Sequence, residues 1–303
     1  MGMYMYDVII VGAGPAGLSA ALILGRCRRR ALVLDHGRPR NAAAYEIHGF
    51  LTRDCIPPSD LRRFGREQLA KYETVELRDA EVSAVSGEDG VFTATLASGE
   101  RVMSRMLLLA TGMVDDLPEV PGMREFYGHS VHHCPYCDGW EHRDQPIVIY
   151  GRGHDAAGLA LELTVWSHDL TLCADGPAEL DRKDRERLAR QNISIREEHV
   201  ARLEGEDGQL ARLVFASGET IPCRALFFSE NPHQCCDLPE SLGCEFTESG
   251  AVKTGEHEVT NVPGLYVAGD ASRRVQLAII AAAEGAGAAF AINSALLKHD
   301  LAQ

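Results

Sequence analysis

Asp7-Val-Ile-Ile-Val11-Gly12-Ala-Gly14-Pro15-Ala16-Gly17-Leu18 is the stretch that decides the fold. A strand-like apolar run stops at a G-x-G-x-x-G, and Leu18 to Leu24 continues as a helical stretch of Leu, Ala and Ile. Glycines at these places permit a tight turn, let a pyrophosphate reach backbone N–H groups, and let the helix pack close to the strand. The next strand, Ala31 to Leu34, ends on Asp35. A carboxylate there accepts hydrogen bonds from ribose hydroxyls and repels a 2′-phosphate, so the pattern predicts a βαβ unit that holds FAD or NAD.

The chain repeats this plan. Gly151-Arg-Gly153 follows the apolar run Ile147 to Tyr150 as Gly12-Ala-Gly14 follows Asp7 to Val11. Further on, Gly87-Glu-Asp-Gly90 recurs as Gly205-Glu-Asp-Gly208, and Ala97-Ser-Gly-Glu100 as Ala216-Ser-Gly-Glu219, in the same order. Alternating runs such as Val91 to Leu96, hinged at Ser-Gly-Glu, read as β-meanders. The first copy carries extra residues, roughly Gly37 to Pro58, as a ligand-covering insertion would. The expected architecture is therefore α/β, with two Rossmann-like, three-layer ββα dinucleotide-binding units.

Composition agrees. A chain of 303 residues with 45% hydrophobic and 24% charged residues has material for two cores. The net charge of −14 disfavours nucleic-acid and anionic-membrane partners. The basic knot Arg26, Arg28, Arg29 and Arg30 falls where the first helix should end, where cations suit the helix dipole. Met1 to Asp7 lacks the positive charge of a signal peptide, and Tyr6 breaks the myristoylation pattern. The apolar stretch Val275 to Leu297 contains Glu284 and Asn293 and suits a buried helix better than a membrane span. A cytoplasmic protein is expected.

Nine cysteines is an odd, scattered set, a poor disulfide framework for a secreted protein. One pair has a spacing with chemistry attached, in His132-His133-Cys134-Pro-Tyr-Cys137-Asp138-Gly-Trp-Glu141. Pro135 suits the first turn of a helix, where the dipole lowers a thiol pKa. Asp138 is placed to exchange a proton with a departing thiol, with His132 or His133 assisting near neutral pH. The preferred reading is a redox pair with no metal; the alternatives are a zinc site recruiting a histidine and two inert buried thiols. Near the C-terminus, Gly264-Leu-Tyr-Val-Ala-Gly-Asp270 is a strand breaking at Gly-Asp before a helix whose N-terminus would face a flavin. The same segment reads equally as core strand and core helix.

The order Gly-Ala-Gly-Pro-Ala-Gly, Ala110-Thr-Gly112, Cys-Pro-Tyr-Cys-Asp-Gly, Gly-Arg-Gly and Val-Ala-Gly-Asp resembles the low-molecular-weight thioredoxin reductase family. Cys134 to Glu141, Arg40-Asn41, His48 to Asp54 and Val275-Gln-Leu277 resemble its bacterial thioredoxin reductase-like and dithiol oxidase branch. The resemblance implies an FAD domain built from residues 1–115 and 243–303, with an inserted NAD(P)-type domain, 116–242, carrying the disulfide. It implies that Cys137 meets the flavin, Cys134 exchanges with substrate, and Asp138 serves as acid and base; His133 is the histidine taken from the motif to assist. It also implies FAD contacts at Gly12, Gly14, Pro15, Ala16, Gly17, Asp35, His36, Asn41, His48, Val82, Thr111, Gly112, Gly269, Asp270, Gln276 and Leu277, and a homodimer.

The departures concern the second dinucleotide site, where Gly151, Gly153 and Asp175 are the candidates. NADPH-using relatives carry a His-Arg-Arg element after the second strand of that unit. Here Leu170-Thr-Leu-Cys173 runs into Ala174-Asp175-Gly176-Pro177, with no basic residue in place. Asp175 reads either as an acceptor for the ribose of NADH or as an ordinary Asp-Gly turn. Phe227 to His233 also departs from the family's Ile-Gly-x-x-Pro-Asn. The function expected is an FAD-dependent disulfide oxidoreductase acting with a thioredoxin-like protein or a small dithiol, as a reductase fed by NADH or another donor, or as an oxygen-dependent dithiol oxidase. A zinc-stabilised or redox-inert nucleotide-binding scaffold is the alternative of another class.

Overall fold

The structure is a computed structural model that describes residues 5–88, 90–229, 232–273 and 275–302. β1 (Met5–Val11), α1 (Pro15–Arg26) and β2 (Ala31–Asp35) make the expected βαβ unit, followed by α2 (Pro58–Leu69) and β3 (Val75–Asp79). Then come β4 (Val82–Glu88), β5 (Val91–Leu96), β6 (Arg101–Leu109) and the short β7 (Met113–Val114). The second copy runs α3 (Met123–Phe126), β8 (Val131–His132), α4 (Pro135–Asp138), β9 (Ile147–Tyr150), α5 (Gly153–Leu163) and β10 (Leu170–Cys173). It continues through α6 (Arg182–Arg190), β11 (Ser194–Arg196), β12 (Val200–Glu206), β13 (Gln209–Phe215), β14 (Thr220–Pro222) and β15 (Ala225–Phe228). β16 (His233–Gln234), α7 (Leu238–Ser241), β17 (Leu265–Val267) and α8 (Ala278–Leu301) complete the chain.

Contacts divide the chain into two units. The first comprises Met1–Arg40, Phe50–Val114 and Pro232–Gln303, and the second Asn41–Gly49 and Asp115–Asn231. The return to the first unit thus comes at 232, ahead of the expected 243, because β16 pairs with β7. Glu230 and Asn231, within the divergent segment Phe227 to His233, lie outside the described residues.

The first unit has a sheet in the order β3-β2-β1-β6-β5-β4, with β17 also on β6. β1 runs parallel to β2 and β6, and every residue of β2 is buried, as a strand covered on both faces requires. Alternation sorts Val8 and Ile10 into the core beneath α1 and α8, and Ile9 and Val11 into the core on the opposite face. α8 approaches α1 so closely that a Cβ at Gly285 would sit 1.9 Å from Ala16 O. By length and composition α8 would suffice to cross a membrane, yet its Ala281, Gly285, Ala288, Ala289, Ile292 and Leu296 are buried within this unit. It starts at Ala278 and not Val275, because Leu277 is extended and serves as its N-cap.

The second unit repeats the plan with a sheet in the order β11-β10-β9-β15-β8. β4 pairs antiparallel with β5 and β12 with β13, and both Ser-Gly-Glu segments lead into the third meander strand. In the first unit the nine-residue β6 belongs to meander and central sheet alike. In the second, the corresponding run is broken between Pro222 and Ala225, and β12-β13-β14 stands as a separate sheet. Pro222 has no N–H to carry the ladder on.

Candidate active site

The first glycine turn is open where a phosphate would approach. Gly12 has φ +106°, and a Cβ there would lie 2.2 Å from Ala110 O, so only glycine fits. Gly14 caps α1 with no side-chain hydrogen bond, Pro15 occupies the first turn, and a Cβ at Gly14 would meet nothing within 4 Å. Uncapped N–H groups at the start of α1, facing open space, fit a pyrophosphate.

Asp35 follows the turn and is 6% exposed. Its Oδ1 accepts from Ala13 N at 3.4 Å, while Oδ2 receives Arg62 Nη2 at 2.5 Å and Arg66 Nη2 at 2.6 Å. Burial opposes the charge, but Arg62, Arg66 and the N–H groups of Gly37 and Ala13 hold the carboxyl below its usual range. Oδ1 is left as the side for a ribose diol, and Oδ2 belongs to the two arginines. Their i, i+4 spacing on α2 is the one sequence signal that marks them as a pair.

At the other end of the chain, Gly269 N donates to Glu284 Oε2 of α8 at 2.8 Å, and Glu284 Oε1 meets Arg273 Nε at 2.7 Å. This clamp fixes the Gly-Asp break. Asp270 Oδ2 pairs with Arg40 Nη1 at 2.9 Å, and the same nitrogen donates to Gln276 Oε1 at 2.5 Å. Arg40, Asp270 and Gln276 thus converge from segments that no spacing argument connects. Gly112 has φ +74° and its carbonyl accepts from Cys235 N at 3.3 Å. Thr111 lies between Ala110 and Gly112 at the end of β6, Val82 opens β4 half-buried, and exposed His36 accepts from Arg38 N at 3.1 Å. Asn41 and His48 group with the second unit. His48 Nδ1 lies 3.7 Å from Glu141 Oε1 there.

In the second unit, Cys134 and Cys137 are joined as a disulfide, with Cα atoms 5.3 Å apart. Cys134 is the extended N-cap of α4, Pro135 takes its first position, and Cys134 O accepts from Cys137 N at 3.2 Å and Asp138 N at 3.3 Å. The single turn ends on Asp138, one residue after Cys137. Asp138 Oδ2 meets His132 Nδ1 at 3.3 Å, and His132 Nε2 meets His142 Nε2 at 3.0 Å. Burial works against the Asp138 charge, yet His132, with His133 and His48 behind it, holds the carboxyl below its usual range. Burial and His132 push the His142 pKa down to about 4. His133 instead turns Nδ1 toward Asp115 at 3.9 Å, so His132 is the histidine in contact with the expected acid/base. The contact of His142 with His132 was hidden from the sequence because an irregular loop, not a periodic element, returns it there. Among the described residues, no cluster of three possible metal ligands includes either sulfur.

The second glycine turn is furnished differently. Arg152 Nε donates to Ala174 O at 2.7 Å, and Arg152 Nη2 donates to Asp175 O. The side chain therefore reaches across from the glycine turn to the end of β10. Asp175 has φ +52° and spends its carboxylate on Tyr150 OH at 2.8 Å, Val200 N at 2.8 Å and His199 Nδ1 at 3.3 Å. The backbone at Asp175 and Gly176 makes a left-handed turn. Beside it, Gly176 N donates to Glu197 O at 3.1 Å.

The sequence profile of the pyridine nucleotide-disulphide oxidoreductase family matches residues 6–285. Thioredoxin reductase aclD of Aspergillus oryzae is 31% identical over 308 residues, covering 98% of each chain. Among solved structures, HlmI is 37% identical with a TM-score of 0.93, over 98% of this chain and 94% of its own. An oxidoreductase from Agrobacterium tumefaciens is 33% identical with a TM-score of 0.90, over 97% and 99%. The profile accounts for both glycine turns and the disulfide between them, and the chain belongs to the pyridine nucleotide-disulphide oxidoreductase family as a thioredoxin reductase-like, FAD-dependent oxidoreductase acting on sulfur groups.

Proposed function

We propose that the chain oxidises dithiols, passing electron pairs from a small or protein-borne dithiol through Cys134–Cys137 to FAD and on to oxygen. The observation that carries this direction is the second glycine turn, where Arg152 and Asp175 are engaged with their own unit. Bound at the first turn, FAD supplies the two-electron acceptor. Gly12, Gly14 and the start of α1 would hold its pyrophosphate, Asp35 Oδ1 a ribose, and Arg40, Asp270 and Gln276 the polar remainder. The chain's own work is thiol chemistry: Cys134 exchanges with substrate, Cys137 returns the pair to the disulfide, and Asp138 moves the protons. Overall, one dithiol and one oxygen molecule yield one disulfide and one hydrogen peroxide.

The relative named a thioredoxin reductase supports the opposite direction, with a nicotinamide as donor and a thioredoxin-like protein as acceptor. In that case NADH suits the acidic surroundings of Asp175 better than NADPH. A homodimer is the assembly we infer, and the exposed Phe290, Leu297 and Leu301 of α8 suit a second copy. Oxygen uptake with dithiothreitol tests the function. The yellow protein should consume oxygen and release peroxide, and Cys137→Ser should abolish both; uptake surviving in Cys137→Ser, or no uptake by the wild type, overturns the proposal.

A further inference from the structure

We infer that His132 and His142 form a two-histidine proton relay between Asp138 and solvent, which sets the rate of thiol exchange at Cys134–Cys137. The inference rests on the reading of that pair as redox-active and adds two positioning residues to it. Three facts carry it: the contact of Asp138 Oδ2 with His132 Nδ1 at 3.3 Å, the contact between the two Nε2 atoms at 3.0 Å, and the burial of both rings. His132 is 5% exposed and packed on Phe227, with ring centroids 5.4 Å apart; His142 is 9% exposed. Two buried imidazoles this close need one shared proton between them, since two N–H groups or two lone pairs would repel.

The shared proton has two placements. In one, neutral His132 donates from Nδ1 to Asp138 and accepts at Nε2 from His142 Nε2–H. In the other, His132 is an imidazolium that donates both ways, and His142 carries its proton on Nδ1. A proton entering at His142 Nδ1, with Nε2–H handed to His132, converts the first into the second without moving a heavy atom. His142 is 9% exposed against 5% for His132, so it is the end of the pair nearer solvent. The low pKa of His142 keeps that ring neutral near pH 7 and lets it pass a proton without storing one.

Exchange needs this traffic. A substrate thiol loses its proton, and its sulfur bonds to one sulfur of the pair. The Cys134–Cys137 bond breaks, and the displaced sulfur leaves as a thiolate that takes up a proton. Asp138 alone, held low by its neighbours, is a poor store for the first proton and a poor source for the second. The relay removes one to water and returns the other. The other titratable groups facing it are His133 with Asp115, and His48 with Glu141.

The test is anaerobic stopped-flow reduction of the holoprotein by dithiothreitol from pH 5 to 9, with protein thiols counted after acid quench as a second readout. His142→Gln keeps a hydrogen-bonding group opposite His132 but cannot relay; His142→Ala leaves room for added imidazole. We expect both variants to be slowed at least about tenfold at pH 7, with imidazole restoring His142→Ala. Wild-type rates in His142→Gln, or no response of His142→Ala to imidazole, overturn the relay. Should neither variant fold, the wild-type solvent isotope effect decides: a value well above one with more than one proton in flight supports the relay, and a value of one overturns it. An unreactive wild-type disulfide would instead remove the redox reading itself, so the two failures are told apart.

Discussion

The two glycine turns begin from the same sequence plan and end in opposite states. At the first, Gly14 faces empty space and the start of α1 is uncapped, while the acid after β2 keeps one oxygen for a ligand. At the second, Arg152 crosses to the carbonyls of Ala174 and Asp175, and the acid after β10 is spent on Tyr150, Val200 and His199. The backbone plan is set by glycine and apolar periodicity, whereas the side chains that furnish each turn differ.

The largest test of this contrast places the same substitution in both turns. Gly12→Ala drives a Cβ into Ala110 O and should cost more than about 3 kcal/mol, with loss of flavin on purification. Its counterpart Gly151 has φ +151°, and an added Cβ would lie 3.2 Å from the side chains of Ala156 and Ser229, so Gly151→Ala should cost only about 1–2 kcal/mol and stay yellow. Urea unfolding and flavin content check both; equal damage would break the contrast.

Next come the two acids. Asp35→Asn strands Arg62 and Arg66 against a neutral group in a largely buried place, at a cost of about 3 kcal/mol. Asp175→Asn keeps acceptor capacity in a partly wetted turn and should cost about 1 kcal/mol. The Asp35 pKa is lowered in the folded state, so its stabilisation is present above the unfolded value near 3.9 and is lost as pH falls through the folded value. The stability gap between wild type and Asp35→Asn should therefore close on acidification below about pH 4.

A smaller effect is expected at Arg152. Arg152→Ala removes two donors to carbonyls and should change stability by about 1 kcal/mol, leave dithiol-driven reduction intact, and raise whatever reduction NADH produces. Calorimetry and stopped-flow spectra would show it. Smallest is a pH slope from His142. Its folded pKa of about 4 lies below the unfolded value of about 6.5. The unfolded state binds more protons between those values, so stability should rise with pH across that window, and His142→Gln should flatten the rise.

Much of the fold was legible because its signals are local. The strand, glycine turn and helix at Asp7 to Leu24, the Gly-Glu-Asp-Gly segments and the Ser-Gly-Glu turns each announce themselves within a few residues. The Cys134–Cys137 spacing marked out the disulfide pair in the same way. What stayed hidden depends on chain return. Arg40 reaches Asp270, Glu284 holds Gly269, and His142 comes back to His132 through an irregular loop; no periodicity predicts these contacts. Arg152 was visible as a letter, but its reach to the end of β10 was not. The same holds for the choice of His132 over His133, since adjacent residues at a strand end point to opposite faces and only the packed structure says which face holds Asp138.

In the function proposed, electrons enter through the Cys134–Cys137 pair and not through the second glycine turn. Anaerobic mixing of the yellow holoprotein with NADPH, NADH and dithiothreitol, following flavin absorbance, tests it most directly. Rapid bleaching by the dithiol, lost in Cys134→Ser and Cys137→Ser, is expected, with none by NADPH at matched concentration; rapid bleaching by NADPH that persists in both variants overturns the proposed path.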